Sequence, residues 1–233
     1  MARAGLFPTT HWSLILAGRE GATARDEALE HLVETYWRPV YVYLRAKGLG
    51  ADDAQDAVQG LFAQLLQRDF VRRLDPARGR LRHYLKASAD HYVINRHERE
   101  SAARRGGGLR PVPFDVELIE RTRDEREEGP DRAYEREWAL GLMQRALGRL
   151  RAEFESGRRR GDPQTVLRFF GFDAPPSYEQ AAEASGMSPA QFKAALHRAR
   201  QRFRELLREE VGATVGAAAL DDELRELRRL LGP

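Results

Sequence analysis

The segment from Ser177 to Leu207 has the residue types and spacing that bind nucleic acid. Ser177 and Ser188 are each followed three positions later by a glutamine, a pattern that caps the first turn of a helix. Gly186 lies between the two predicted helices and can adopt the positive φ that a tight turn needs. A short helix, a tight turn and a longer second helix are typical of the helix-turn-helix unit.

The second helix of this unit separates apolar from cationic residues. Its apolar residues recur at helical spacing and predict a buried stripe of Phe192, Leu196, Ala199, Phe203 and Leu206. The opposite face then exposes Ala190, Lys193, Ala194, His197, Arg200, Gln201 and Arg204. Such a face can enter a major groove, where the first residues reach base edges and later arginines reach phosphates. A solvated cationic face without a partner is the alternative interpretation.

Charge is distributed unevenly along the 233 residues, whose formal net charge is +3. All but three of the 39 basic residues are arginines, which a GC-rich genome also favours, so the distribution is more informative than the total. Residues 68–105 contain 11 basic and five acidic side chains, and residues 189–208 contain six basic and one acidic. Residues 113–137, with ten acidic and five basic side chains, separate these two basic blocks and follow a run of three glycines. The pattern indicates two basic domains and a linker.

Hydrophobic residues recur with the helical period almost throughout, and no segment shows the sustained alternation of a strand. The predicted fold is all-α, with two small helical domains joined by a flexible linker. The predicted parts are an N-terminal extension (1–24), a first helical domain (25–102), an acidic linker (103–133), a helix-turn-helix domain (134–210) and a C-terminal helical tail (211–233). We expect the tail to dock on the second domain; reception of a regulator is the other interpretation.

Composition excludes several classes of site. The chain has no cysteine, which excludes disulfides, thiol nucleophiles and thiolate metal ligands. Its six histidines show no metal-ligand spacing, and Gly106-Gly107-Gly108 lacks the Gly-Lys-Ser/Thr ending of a phosphate-binding loop. We therefore expect no enzyme activity, no catalytic residue, no metal and no cofactor. Without a secretion signal or an apolar segment long enough for a bilayer, a cytoplasmic location without membrane binding is expected.

Two motifs in the chain resemble those of bacterial sigma factors of the extracytoplasmic-function type. Asp53-Ala-Gln-Asp-Ala-Val-Gln-Gly-Leu-Phe62 is similar to that family's D-A-E-D-x-x-Q-x-x-F signature. Ser177-Tyr-Glu-Gln-Ala-Ala-Glu-Ala-Ser-Gly-Met-Ser188, continuing to Arg200, resembles its second signature. Between them, residues 79–85 and 95–99 resemble the family's promoter-melting helix, and residues 7–13 resemble the opening of one branch.

The resemblance implies a partner for each of three residue sets. The acidic set binds the clamp helices of core RNA polymerase and maps onto Asp52, Asp53, Asp56 and Gln59. The melting set holds the non-template single strand of the minus-ten element and maps onto Arg82, Tyr84, Lys86, Asn95, Arg96 and Arg99. The duplex set reads the minus-thirty-five element and maps onto Ser188, Gln191, Lys193, His197, Arg198 and Arg200. The polymerase flap and an anti-sigma factor or other regulator are further implied partners.

Some residues depart from these implications. The spacing of Tyr84 with Leu81, Leu85 and Tyr92 favours core packing over base stacking. Ala181, Ala184 and Ser185 replace larger apolar residues of the family, which predicts a thinner helix-turn-helix core. Ala194-Ala195 replaces a Ser-Arg pair, which removes a basic contact. Duplex binding is therefore predicted without a particular promoter sequence.

Other functions are compatible with parts of the chain. A stand-alone helix-turn-helix regulator that binds operators as a dimer is the main alternative. It would need a dimerisation face, whereas the first half of the chain offers a basic helix. A helical adaptor that binds only proteins is a third class, and the two separate cationic surfaces argue against it.

Overall fold

A computed structural model describes residues 22–65, 80–104, 129–158, 161–171, 174–215 and 219–231. Within these ranges the chain is all-α and contains no strand, as the periodicity predicts. None of the helices found there is long and apolar enough to cross a membrane. The chain forms two compact units, residues 1–139 with 213–233 and residues 140–212.

The helices are numbered along the chain. The first unit contains α1 (Ala22–Ala46), α2 (Ala51–Leu65), α3 (Leu81–Arg104), the first part of α4 (Pro130–Glu155) and α8 (Leu220–Leu231). The second unit contains the rest of α4, α5 (Pro163–Leu167), a 3-10 turn (Arg168–Phe170), α6 (Tyr178–Ala184) and most of α7 (Pro189–Thr214).

In the first unit, α1, α2 and α3 pack against one another. One face of α2 is apolar and buried, with Ala54, Ala57, Val58, Leu61, Phe62 and Leu65 at helical spacing. Gly48 ends α1 with φ +94°, and the Leu49 amide donates to the Leu44 carbonyl at 3.2 Å. This arrangement satisfies carbonyls at the helix end and turns the chain into α2.

The second unit has one core, built around Phe192, Leu196 and Ala199 of α7. Ala181 and Ala182 are buried in it, and the bulk that α6 lacks is supplied by Val166 and by Phe169 and Phe170, which are partly buried. The alanines of α6 therefore allow aromatic side chains from the preceding turn to fill the helix-turn-helix core.

The units differ from the sequence-based domains at two places. Residues 134–139 belong to the first unit, as does α8. The prediction that the tail docks on the second domain is wrong, because Glu223 of α8 is buried against Arg80 and Arg82 of the first unit. The N-terminal residues 1–21 and linker residues 105–128 lie outside the described ranges.

Gly60 permits a close approach between α2 and α3. A Cβ at this position would lie 1.8 Å from Tyr92 Oη and 2.6 Å from its ring carbon Cζ. A Cβ at Gly148 of α4 would meet nothing within 4 Å. The two helical glycines therefore differ in the space around them.

We expect Gly60→Ala to lower the free energy of unfolding by about 1 to 3 kcal/mol, because Tyr92 must move out of its packing position. Gly148→Ala, the matched control, should raise it by about 0.5 to 1 kcal/mol through helix propensity. Urea denaturation followed by circular dichroism measures both. Equal stabilisation by the two substitutions would contradict the close approach.

Candidate nucleic-acid interface

The helix-turn-helix predicted from sequence is present with both capping boxes. The Gln180 amide N–H donates to Ser177 Oγ at 3.1 Å, and the Ser177 N–H donates to Gln180 Oε1 at 3.1 Å. Ser188 and Gln191 repeat the exchange at 3.3 and 2.9 Å. Gly186 has φ +62° in the turn between α6 and α7. The local sequence thus fixes the start of α7 independently of the core.

All six residues of the duplex set are exposed on α7. They are Ser188, Gln191, Lys193, His197, Arg198 and Arg200. The predicted buried stripe is confirmed for Phe192, Leu196, Ala199 and Leu206, and Phe203 is partly buried, with its ring edge-on to Phe170. Within the described part of the chain, no acidic side chain forms an ion pair with Arg198 or Arg200. The exposed face of α7 is therefore cationic along its first three turns.

Tyr178 is a residue of this face that sequence reasoning missed. Its ring stacks on Phe169, with centroids 5.5 Å apart, and is 37% exposed. The Lys193 ammonium lies 5.1 Å from the Tyr178 ring centroid, which restricts the position of this cation. No local pattern indicates this pair, because it joins residues near the starts of two different helices.

Arg202, further along α7, forms ion pairs within the second unit. Arg202 Nε donates to Glu153 Oε1 of α4 at 2.8 Å, and its Nη1 lies 2.9 Å from Glu205. Hydrogen bonds to Glu205 and Glu153 raise the pKa of Arg202 further above its usual range. Arg202 therefore holds α7 to α4 and is not part of the exposed cationic face.

In the first unit, three residues of the melting set are exposed and the other three are paired with acidic side chains. Tyr84, Asn95 and Arg99 are exposed, and Tyr84 is 42% accessible. The prediction of core packing for Tyr84 is wrong, because the buried face of α3 is rotated towards Arg82 and Ala89. Tyr84 thus lies beside the buried face of α3, with much of its side chain accessible to solvent.

The other three members of the melting set are paired with acidic residues. Lys86 Nζ lies 3.1 Å from Asp131 Oδ1, and Arg96 Nη2 lies 2.9 Å from Asp53 Oδ1. Arg82 is only 2% exposed and is paired on two sides. In this arrangement Arg82 cannot reach a nucleic acid.

Arg82 is the centre of a buried charge cluster. Its Nε donates to Glu135 Oε2 at 3.0 Å, and its guanidinium carbon lies 4.3 Å from the Trp138 ring centroid. The Tyr134 hydroxyl donates to the Arg82 carbonyl at 2.9 Å. These partners are far from Arg82 in the sequence, so no local pattern could have identified them.

Burial by itself would raise the pKa of Glu135. Hydrogen bonds from His83 and Arg82, together with their positive charges, outweigh this effect and lower the pKa below its usual value. Glu135 therefore stabilises the folded state as a carboxylate.

The acidic set forms an exposed surface on α2. Asp52, Asp53, Asp56 and Gln59 are all exposed, and the opposite side of the helix is buried in the core. Asp53 is the member engaged by Arg96. The surface consists of three carboxylates and one amide, and its negative charge suits a basic partner.

No protein-family model matches the chain, and neither a curated protein nor a solved structure matches it significantly.

We expect Lys193→Ala and Arg198→Ala each to weaken binding to duplex DNA and to reduce the slope of log affinity against log salt by about one. Arg151→Ala removes the same charge from an exposed site on α4 and should leave the slope unchanged. Fluorescence anisotropy with labelled duplex measures these values. Loss of single-stranded binding alone would mean that the two units have exchanged roles.

The depressed pKa of Glu135 predicts a pH dependence. As the pH falls, the Glu135 carboxylate is protonated near pH 4.5 in the unfolded chain and only at lower pH in the folded chain. Its contribution to the free energy of unfolding is therefore complete above pH 4.5 and is lost as the pH falls further. Glu135→Gln should be less stable at pH 7 and should lose less stability than the unmodified protein below pH 4.5. Denaturation by urea at both pH values tests this, and parallel losses would contradict it.

Proposed function

We propose that the chain is a sigma factor that binds bacterial core RNA polymerase and directs promoter-specific initiation of transcription. It would melt the minus-ten element with its first unit and read the minus-thirty-five element with the helix-turn-helix. This function would place it in the cytoplasm, with the chromosomal DNA.

The observation that carries the proposal is the acidic surface of α2. The exposed face of α7 explains duplex binding, but it would serve a stand-alone regulator equally well. Asp52, Asp56 and Gln59 point to solvent on a helix whose opposite side is fully packed. A regulator that binds DNA by itself does not require such a surface, whereas a polymerase subunit needs a surface for its protein partner.

The two cationic regions support separate tasks. On α7 the exposed face continues from Ser188 to Arg200, a length suited to a major groove. On α3 the exposed members of the melting set are an aromatic ring, an amide and a guanidinium, at Tyr84, Asn95 and Arg99. These groups can stack on one unpaired base, bond the edge of another and bind a phosphate, which is the chemistry of single-strand capture.

The proposal is tested with purified core RNA polymerase and sheared DNA from the genome that encodes the chain. Transcripts made with and without the protein are sequenced at their 5′ ends. We expect discrete new ends that share two spaced upstream elements. Duplex footprints without polymerase, together with no new transcripts, would instead favour the stand-alone regulator.

The acidic surface is tested by the double variant Asp56→Arg with Gln59→Ala. Reversing a charge that faces a basic partner should weaken binding to core polymerase at least about tenfold, if close charge pairs are lost. Glu34→Arg is the matched control, because it makes the same charge change at another exposed helical site. Surface plasmon resonance gives both affinities. Equal affinity of the double variant and the control would remove the acidic surface from the interface.

A further inference from the structure

Glu223 of α8 is completely buried, and its carboxylate faces two arginines. Oε1 pairs with Arg82 Nη1, and Oε2 lies 3.1 Å from Arg80 Nη1. Arg82 and Glu223 are the buried charged residues of the described part of the chain. The buried carboxylate of α8 therefore pairs with Arg82, a residue of the melting set.

The site that Glu223 occupies has the features of a phosphate-binding site. Arg82 presents a planar guanidinium whose carbon lies 4.3 Å from the Trp138 ring centroid, and Arg80 contacts the same Glu223 carboxylate. Within the described residues, Arg82 Nη2 is buried without a hydrogen-bond partner. Arginine binds carboxylates and phosphates with the same fork of N–H groups. A phosphate could therefore take the place of the Glu223 carboxylate.

The local charge changes sign when α8 is removed. With the helix docked, Arg80 and Arg82 face three carboxylates, those of Glu135, Glu223 and Glu226. Without it, the same two arginines face Glu135 alone. The docked site thus repels an anion, and the open site attracts one.

We propose that α8 is an autoinhibitory helix, which competes with the phosphates of single-stranded DNA for Arg80 and Arg82. The inference rests on the proposed function, in which α3 holds the non-template strand. When α8 is docked, the site is closed to DNA; when a strand binds, Glu223 leaves the two arginines.

The attachment of α8 suits a reversible element. The desolvation of a buried ion pair offsets much of its Coulombic attraction, so the Glu223 pair adds specificity more than stability. Leu227 is the apolar side chain that α8 buries, at 2% exposure. Other ion pairs of α8 lie within the helix, Asp222 with Arg225 and Glu226 with Arg229, although Glu226 also lies 3.6 Å from Arg80. A 12-residue helix is marginal by itself, so α8 would lose its fold when displaced.

The first test compares two variants of the full chain that make the same charge change. Glu223→Gln removes the buried carboxylate, whereas Asp222→Asn removes an exposed one whose partner is Arg225 of the same helix. Labelled single-stranded DNA is titrated with each protein, without polymerase, and anisotropy is measured. If α8 is docked in about 90% of molecules, opening it should raise the affinity about tenfold. Asp222→Asn should stay within about twofold of the unmodified protein, as expected for one exposed charge.

Leu227→Ala provides a second route to the open state and should raise the affinity in the same direction as Glu223→Gln. Circular dichroism and thermal unfolding identify a variant that has not folded. Equal affinities of folded Glu223→Gln, Leu227→Ala and the unmodified chain would overturn the proposal.

Amide hydrogen exchange tests the unmodified protein. Saturating single-stranded DNA should speed exchange at residues 219–231, and unchanged protection there would overturn the proposal. Failure of the proposed function is recognised separately: absence of transcripts with core polymerase for every variant rejects the sigma factor. Tighter binding of Glu223→Gln and faster exchange of α8 would still establish competition for the anion site.

Discussion

The arrangement of the first unit depends on the ion pairs that the buried Arg82 guanidinium forms with Glu135 and Glu223. The guanidinium links three helices, because its partners are Glu135 on α4 and Glu223 on α8 while Arg82 itself belongs to α3. Leaving a charge of this kind without partners in a protein interior costs several kcal/mol, roughly the effect of breaking a buried pair. The position of α8 is therefore set by electrostatics as much as by its apolar side chains.

The two units treat their cationic residues differently. In the second unit, Arg202 is paired and holds α7 to α4, while Arg198 and Arg200 stay on the exposed face. In the first unit, Arg82, Lys86 and Arg96 are all engaged by carboxylates. Duplex binding thus needs no rearrangement within the helix-turn-helix. Participation of Arg82 in strand capture by the proposed sigma factor would require its ion pairs to open.

The sequence predicted what local rules determine. Capping at Ser177 and Ser188, the turn at Gly186 and the amphipathic stripe of α7 follow from spacing within a few residues, and each is confirmed. The same rules explain the buried stripe of α2 and the end of α1 next to Gly48, whose φ is positive.

What the sequence could not predict depends on contacts between distant segments. The docking of α8 arises from Glu223 meeting Arg80 and Arg82, which share no periodicity with it. The exposure of Tyr84 depends on which side of α3 the other helices cover. The covered side includes Arg82, a residue type that a hydrophobic pattern places on the surface, and leaves Tyr84 exposed. The bulk of the helix-turn-helix core came from Phe169 and Phe170, outside the motif itself. Motif matching therefore could not show which of the predicted site residues are buried or already paired.

The central claim, that the chain opens promoter DNA together with core polymerase, is tested most directly by permanganate footprinting of a template that yields a discrete transcript. We expect reactive, unpaired thymines in the minus-ten region only when both the protein and core polymerase are present. Protection of the duplex by the protein alone, without any reactive thymine when polymerase is added, would contradict it.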